Sequence, residues 1–337
     1  MSDPSAAARL YDLADAYCRL APWQWMEETD LIAVRLPGME EPGFVSVMGM
    51  AGNHTALALY LGLGALERFN LMHAGADLSH GDKLRLILES RQLQASFNGR
   101  GDLEKSELAE IKTLGRKYRG DTWPCFRSFH PGMAPGPVTA QEAEWLGLAL
   151  EQVTIVAPRL RGGDFRTFRM HAGTMEILSR EPAGAPAAWQ DRWRPFPRKD
   201  HVFPSPSCNS FLAAAVAKHP HTADLECSFL LIPNGIGPRF GARTYPYIFL
   251  VADAGSGIIL GFEMLSVEDQ PFEALIASVP DLFLRFCDKS KLRPRTLSCA
   301  GRSTAALLEA PARALRIEAV ARHSLPALDA IVASMPV

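Results

Sequence analysis

LECSFLLI at residues 225–232 is the first of three apolar stretches that predict β-strands, and it is followed by YIFLVA at 247–252 and IILGFEML at 258–265. All three are short, rich in β-branched and aromatic residues, and bounded by turn residues. The second and third are joined by Asp253-Ala-Gly-Ser-Gly257, a sequence typical of a tight hairpin. These stretches therefore predict antiparallel strands.

After the hairpin, the pattern alternates between helix and strand. Such alternation is typical of parallel strands joined by crossover helices. The sequence therefore predicts a mixed sheet with the order βββαβαβα. This order resembles the ribonuclease H-like fold, in which nucleases hold two divalent metals with carboxylates at the strand edges. The predicted later elements are a helix over 270–286, a strand over 296–299, a helix over 303–315, a strand over 317–320 and a helix over 327–334.

The resemblance implies catalytic carboxylates, and three acids are candidates for them. Glu226 lies on the first strand, Asp224 points the same way by alternation, and Asp253 follows the second strand. Asp253 is also explained as a turn residue. Cys299 stands where the resemblance calls for another acid, so the carboxylate set is incomplete. We therefore expect no metal site and no cofactor, and a metal-dependent nuclease is kept as the alternative function.

The N-terminal part has the pattern of an α+β domain with a small antiparallel sheet. An amphipathic helix is expected over 5–20, and Thr139-x-x-Glu142 is a capping box that opens another helix. The predicted domains are 1–180, a proline-rich linker at 181–206, and 207–337. The other expected helices are 63–72 and 103–114, and the expected strands are 31–36, 44–48, 56–61, one long or two short strands within 84–97, and a hairpin of 165–170 with 174–179.

A proline-rich loop is predicted at 123–137, with the sequence WPCFRSFHPGMAPGP. Stiff loops hold side chains in place at low entropic cost, so this one is a candidate surface for a protein partner. The alternative interpretation is that its aromatic residues pack between the domains and its prolines set their angle. The candidate binding residues are Trp123, Arg127, Ser128, Phe129 and His130.

Composition and charge exclude several classes of protein. A net charge of −2 gives no general attraction to polyanions. Nucleic acid is then a possible partner only through the basic residues of 285–322, and a solvated helix face is the favoured interpretation there. The six cysteines form no Cys-x-x-Cys pair, which indicates a reducing compartment. No apolar run is long enough to span a membrane, so we expect a cytoplasmic protein.

Most of the chain resembles an uncharacterised family of bacterial two-domain proteins of unknown function, some relatives of which carry an added zinc-binding tail. The resemblance implies no activity, and the motifs of this sequence lead us to expect no such tail. We therefore expect a non-catalytic binding or interaction protein. The matching motifs are LYDLA at 10–14 with Pro22-Trp23, Val47-Met48-Gly49 through Gly52-x-His54, LALYLG at 57–62, WPxFRS at 123–128 with Pro131-Gly132, Ala252-Asp253, and Arg293-Pro294-Arg295.

Overall fold

The structure is a computed structural model, and the chain in it divides into two compact units. Both contain a β-sheet with helices packed against it, which confirms the predicted α+β class. Unit 1 is formed by residues 1–70, 90–130 and 135–199, and unit 2 by residues 71–89, 131–134 and 200–337. The structure describes residues 4–52, 54–75, 77–163, 165–184, 188–196, 203–237 and 243–334.

The helices and strands are numbered here in chain order. The helices are α1 (Pro4–Leu20), α2 (Gly62–His73), α3 (His80–Leu88), α4 (Lys105–Thr113), α5 (Ala140–Leu160), α6 (Ser210–Val216), α7 (Phe272–Lys289), α8 (Gly301–Ala314) and α9 (Pro326–Ser334). The strands are β1 (Ile32–Val34), β2 (Gly43–Met48), β3 (Ala56–Leu61), β4 (Gln92–Asn98), β5 (Trp123–Phe129), β6 (Phe168–His171), β7 (Thr174–Pro182), β8 (Trp189–Pro195), β9 (His221–Leu231), β10 (Tyr247–Asp253), β11 (Ile259–Leu265), β12 (Arg293–Ala300) and β13 (Ala319–Arg322).

The sheet of unit 1 is larger than the small antiparallel sheet expected from the sequence. Among the described residues it has eight strands in the order β5-β4-β3-β2-β1-β7-β6, with β8 also paired to β7. All its neighbouring strands are antiparallel except β1 and β7, which are parallel. The added strand β8 explains part of the larger size, because it lies in residues that were expected to form a linker.

Helices cover both faces of this sheet. On one face, α1 and α5 bury apolar residues at helical spacing, among them Tyr17 on α1 and Leu146 and Val153 on α5. On the other face, Phe69 of α2 packs with Tyr60 of β3. All six residues of β3 are buried, because the strand has apolar neighbours on both sides.

In the part of unit 2 that the structure describes, the sheet has five strands in the order β11-β10-β9-β12-β13. Strands β9, β10 and β11 are antiparallel neighbours, whereas β12 is parallel to both β9 and β13. This is the mixed βββαβαβα arrangement that the sequence predicts. Helices α7 and α8 contribute to the larger core of the unit, and α9 packs with residues of β10 in a smaller cluster.

Three segments differ from their predicted structure. Residues 84–88 were expected in a strand but lie in α3, because Ser79 accepts the N–H of Asp82 and caps a helix there. Residues 123–129 were expected in a loop but form β5, at the edge of its sheet, where the missing N–H of Pro124 is tolerated. Within 181–206, β8 pairs along its length with β7. The domain boundary itself stays a prediction.

Candidate functional site

The residues predicted to bind a partner lie on or directly after β5, and most of them are enclosed. Phe129 is 8% exposed and Ser128 is 4% exposed. Trp123 is half-buried, packs against the core of unit 1, and lies 5.7 Å from the Tyr118 ring. His130 is exposed. An exposed aromatic pair would have favoured a partner surface, and Trp123 and Phe129 do not form one.

Ser128 and His130 belong to a network centred on the buried Glu142. Arg91 and the Ser128 hydroxyl both donate to Glu142 Oε1, the latter at 2.8 Å, and the Thr139 N–H donates to Oε2 at 2.7 Å. Burial alone would raise the pKa of Glu142, but these hydrogen bonds outweigh it and hold the pKa at about 2. The Ser128 hydroxyl therefore donates to a carboxylate, and this network secures the start of α5.

His130 does not act on Ser128 in this arrangement. Its Nε2 lies 3.5 Å from Glu142 Oε1. Burial and the nearby positive charge of Arg91 lower the pKa of His130, and Glu142 opposes that shift only in part. A Ser-His pair for nucleophilic catalysis needs the hydroxyl to donate to the imidazole, whereas the Ser128 hydroxyl donates to Glu142.

Each predicted catalytic carboxylate of unit 2 has a contact that stabilises the fold. Glu226 is 4% exposed and accepts the N–H of Leu328 in the first turn of α9 at 3.0 Å. Asp224 accepts from Arg295 at 2.5 Å and from Thr296 at 2.9 Å. Asp253 accepts the N–H and the hydroxyl of Ser256, both at 2.7 Å, and thereby closes the β10–β11 turn. A catalytic role for these acids stays a prediction.

Cys299 occupies the position where the fold resemblance calls for an acid. It is 0% exposed, and burial raises the pKa of its thiol to about 12. The group is therefore a neutral thiol at physiological pH, and a thiol is a metal ligand only as the thiolate. Among the residues that the structure describes, no three His, Cys, Asp or Glu side chains form a group able to hold a metal ion.

The carboxyl ends of β12 and β13 are where parallel sheets commonly bind ligands. In unit 2 this position is taken by Asp82, a side chain of the protein itself. Its buried carboxylate accepts the N–H of Arg302 at 2.8 Å and of Ser303 at 2.9 Å, at the start of α8. The anion-binding end of α8 is thus already neutralised. A small cavity of about 160 Å³ lies beside it.

A larger cavity in unit 1 is lined by residues of α1, α4, Phe126 and the start of α5. We call it the α1–α4 groove, and its volume is about 500 Å³, within the usual range for small-molecule sites. Most of its lining is apolar, and Glu107 and Glu110 are its only charged residues among those described. Arg127 forms an ion pair with Glu107 beside the groove. Arg127, one of the predicted binding residues, therefore holds a residue that lines this cavity in place.

Glu110 is the carboxylate of the groove that has no cationic partner among the described residues. Its contact is the Tyr11 hydroxyl, which donates to Oε2 at 3.5 Å. Burial raises the pKa of Tyr11 well above its usual value, and the negative charges of Glu110 and Glu107 raise it further. Tyr11 therefore stays protonated. Arg116, whose guanidinium stacks on Tyr11, pairs with other acids on α1.

A second cavity of unit 1, of about 630 Å³, has a different charge pattern. It is lined by Arg35, Glu40 and Glu144 together with Met39 and Trp189, so its lining carries both signs of charge. Arg35 donates to the Glu40 carbonyl, and Glu144 accepts from Gln141 at 3.0 Å. Of these two cavities, the α1–α4 groove combines an apolar lining with charge of a single sign.

Sequence reasoning missed Glu110 and Tyr11 as site residues. Tyr11 was visible only as part of the LYDLA motif, and Glu110 only as a polar position of an expected helix. Their sequence separation is 99 residues, so no local pattern could have paired them. Their proximity depends on how α1 and α4 pack in the folded unit.

Comparisons with known proteins identify a family for this chain but indicate no activity. Residues 8–180 match a domain of unknown function, DUF7309, and residues 213–336 match a second one, DUF6930. The two matches confirm the resemblance to an uncharacterised two-domain family, whereas the ribonuclease H-like resemblance is not confirmed. No curated protein and no solved structure matches the chain. Within the described part, every helix is too short or too polar to cross a membrane. Because the first match extends over more than half of the sequence, the protein belongs to the family of the domain of unknown function DUF7309.

Proposed function

We propose that this protein is a non-catalytic cytoplasmic binding protein whose α1–α4 groove takes a small molecule with an apolar body and a cationic amine. The single observation that supports this proposal most is the exposed Glu110 carboxylate, which lines an apolar cavity and has no cation beside it in the described residues. An amine placed there would form a charge-assisted hydrogen bond, and the apolar lining would bury the rest of the ligand.

The groups that could perform covalent chemistry near the groove support binding over catalysis. Cys125 lies on β5, and burial raises the pKa of its thiol to about 11, so it is a poor nucleophile at physiological pH. The hydroxyl of Ser128, three residues further along β5, donates to a carboxylate. Arg127 and Glu107 neutralise one another. The free charge of Glu110 is thus available to recognise a cation.

Phenylethylamine, phenylethanol and phenylacetate are suitable probes, because they share an aromatic ring and differ in charge. We expect calorimetric titration of the full chain to show that the amine binds at least about tenfold more tightly than the alcohol, which corresponds to about 1.4 kcal/mol. Phenylacetate should bind most weakly, because the carboxylates of the groove repel it.

Glu110→Gln is expected to remove the preference for the amine while keeping weak binding of the alcohol. Glu144→Gln is the matched control, since it removes the same charge from α5 in the lining of the other cavity. Ala7→Phe should fill the α1–α4 groove and weaken binding of all the probes. Equal affinity for amine and alcohol, or an unchanged preference in Glu110→Gln, would show that the proposal is wrong.

The nuclease alternative has its own test in unit 2. We expect no cleavage of labelled single-stranded, double-stranded or hybrid nucleic acids with magnesium or manganese. Glu226→Gln is the appropriate variant, because its amide oxygen can still accept the N–H of Leu328 while the charge is lost. Metal-dependent cleavage by the natural chain that disappears in Glu226→Gln would establish catalysis and overturn the non-catalytic assignment.

A further inference from the structure

Strand β11 is one of the two edge strands of the sheet in unit 2. It pairs with β10 on one side, and it is the last strand in the sheet order. Beyond that ladder, its seven residues form no backbone hydrogen bond with any other described residue. An edge strand with unpaired N–H and C=O groups is a template for adding another strand.

The side chains of this edge are unusually apolar for a surface. Four of the eleven exposed large apolar residues in the described chain lie between residues 258 and 264. Phe262 is 46% exposed and Met264 is 56% exposed. They pair with Leu250 and Ile248 on β10, which belong to the cluster beneath α9. Phe262 and Met264 therefore extend that apolar face beyond its covered part.

Helix α7 covers the opposite face of β11 at Gly261. A Cβ atom on Gly261 would lie 2.1 Å from the Phe286 ring of α7. Glu263 is exposed and is the only charged residue of the strand. Additional contacts on β11 would therefore come from its outer edge and from the Phe262 face.

We infer that two copies of this chain pair through β11 in an antiparallel manner and form a symmetric dimer with one continuous sheet. In the register that pairs all seven residues, Phe262 meets Phe262 of the other copy at the two-fold axis. Glu263 then lies opposite Gly261. A register centred on Glu263 would place two carboxylates opposite each other, which is unfavourable. The register centred on Phe262 therefore pairs the whole strand and keeps the two carboxylates apart.

Two general considerations support a second copy as the occupant. Two-fold dimers are the commonest symmetric assembly, and their interface must be self-complementary, as this strand is. The net charge of −2 gives little repulsion between copies. Pairing would cover the exposed apolar residues and satisfy the outer backbone groups of both strands. This surface is separate from the proposed ligand groove, and neither proposal depends on the other.

Sedimentation velocity of the full chain over a range of concentrations tests the dimer. We expect a monomer–dimer equilibrium with a Kd of about 1–10 μM. Phe262→Glu and Phe262→Lys should each weaken dimerisation at least about tenfold, because like charges would meet at the axis. An equimolar mixture of the two variants should dimerise again, since opposite charges then face each other.

Phe211→Glu is the matched control, because Phe211 is an 86% exposed aromatic residue on α6 and lies outside the edge. It should dimerise as the natural chain does. Circular dichroism would establish folding, and Met264→Lys replaces any Phe262 variant that does not fold. A natural chain that stays monomeric throughout, dimers that persist in Phe262→Glu, or equal disruption by Phe211→Glu would overturn the inference.

Discussion

Replacing Arg85 with alanine is expected to lower the free energy of unfolding of unit 2 by about 3–5 kcal/mol. Arg85 on α3 is 1% exposed, and its Nε donates to Glu89 Oε1 at 2.6 Å. Its guanidinium carbon lies 4.9 Å from the centre of the Phe229 ring. The variant loses the packing of a long side chain and the guanidinium that donates to the buried Glu89 carboxylate. Urea denaturation followed by circular dichroism measures the loss.

Arg313→Ala is the matched control for this prediction. Arg313 and Glu309 have the same four-residue spacing on α8, but their side chains are 76% and 50% exposed. An exposed pair contributes at most about 1 kcal/mol, so this variant should change stability little. The double variant Arg85→Met with Glu89→Leu should recover part of the loss, because neither charge remains buried. Equal effects of Arg85→Ala and Arg313→Ala would contradict the interpretation.

Replacing Gly301 with alanine is expected to cost about 3–5 kcal/mol, because three unfavourable effects combine. Gly301 has φ +78°, which a residue with a Cβ adopts only with strain. Its Cβ would lie 2.4 Å from Ser79 Oγ and 2.5 Å from Asp82 Oδ2. Asp82 would have to move away from the N–H groups of Arg302 and Ser303, which leaves the start of α8 without its cap. Thermal unfolding and urea titration both report this effect.

Gly257→Ala measures the cost of backbone strain in the absence of the crowding that occurs around Asp82. Gly257 has φ +70° in the β10–β11 turn, and a Cβ there would meet no atom within 4 Å. Its replacement should therefore cost only about 1–2 kcal/mol, from strain alone. Asp82→Asn should cost less than Gly301→Ala, since its amide oxygen can still accept one N–H. If Gly257→Ala and Gly301→Ala were equally destabilising, crowding around Asp82 would have no role.

Two buried carboxylates of unit 2 accept backbone N–H groups at the starts of helices. Asp82 neutralises the start of α8, and Glu226 accepts a backbone N–H at the start of α9. Both carboxylates lie near strand and helix ends, where metals and phosphates commonly bind. Here they stabilise the fold.

Local chemistry made several elements predictable from the sequence. Thr139 and Glu142 form the expected capping box, since both hydrogen bonds of that motif span only three residues. Asp253 closes the expected hairpin for the same reason. The order βββαβαβα was predictable because hydrophobic periodicity and turn residues are local properties. A local signal also existed where the prediction was wrong, because Ser79 followed by Asp82 is a helix start that precedes the apolar residues of α3.

By itself, the sequence determined the class of the fold, the order of the strands in unit 2 and membership of an uncharacterised family. Only the tertiary structure decided that β5 is a sheet edge, that β8 joins the sheet of unit 1, and that Asp82 caps α8 across 220 residues. It also brought Tyr11 to Glu110. The physical reason is the separation along the chain between the residues that interact. Turns, caps and periodicity depend on residues that are close in sequence. Burial, charge pairing and cavity shape depend on segments that meet only when the chain is folded.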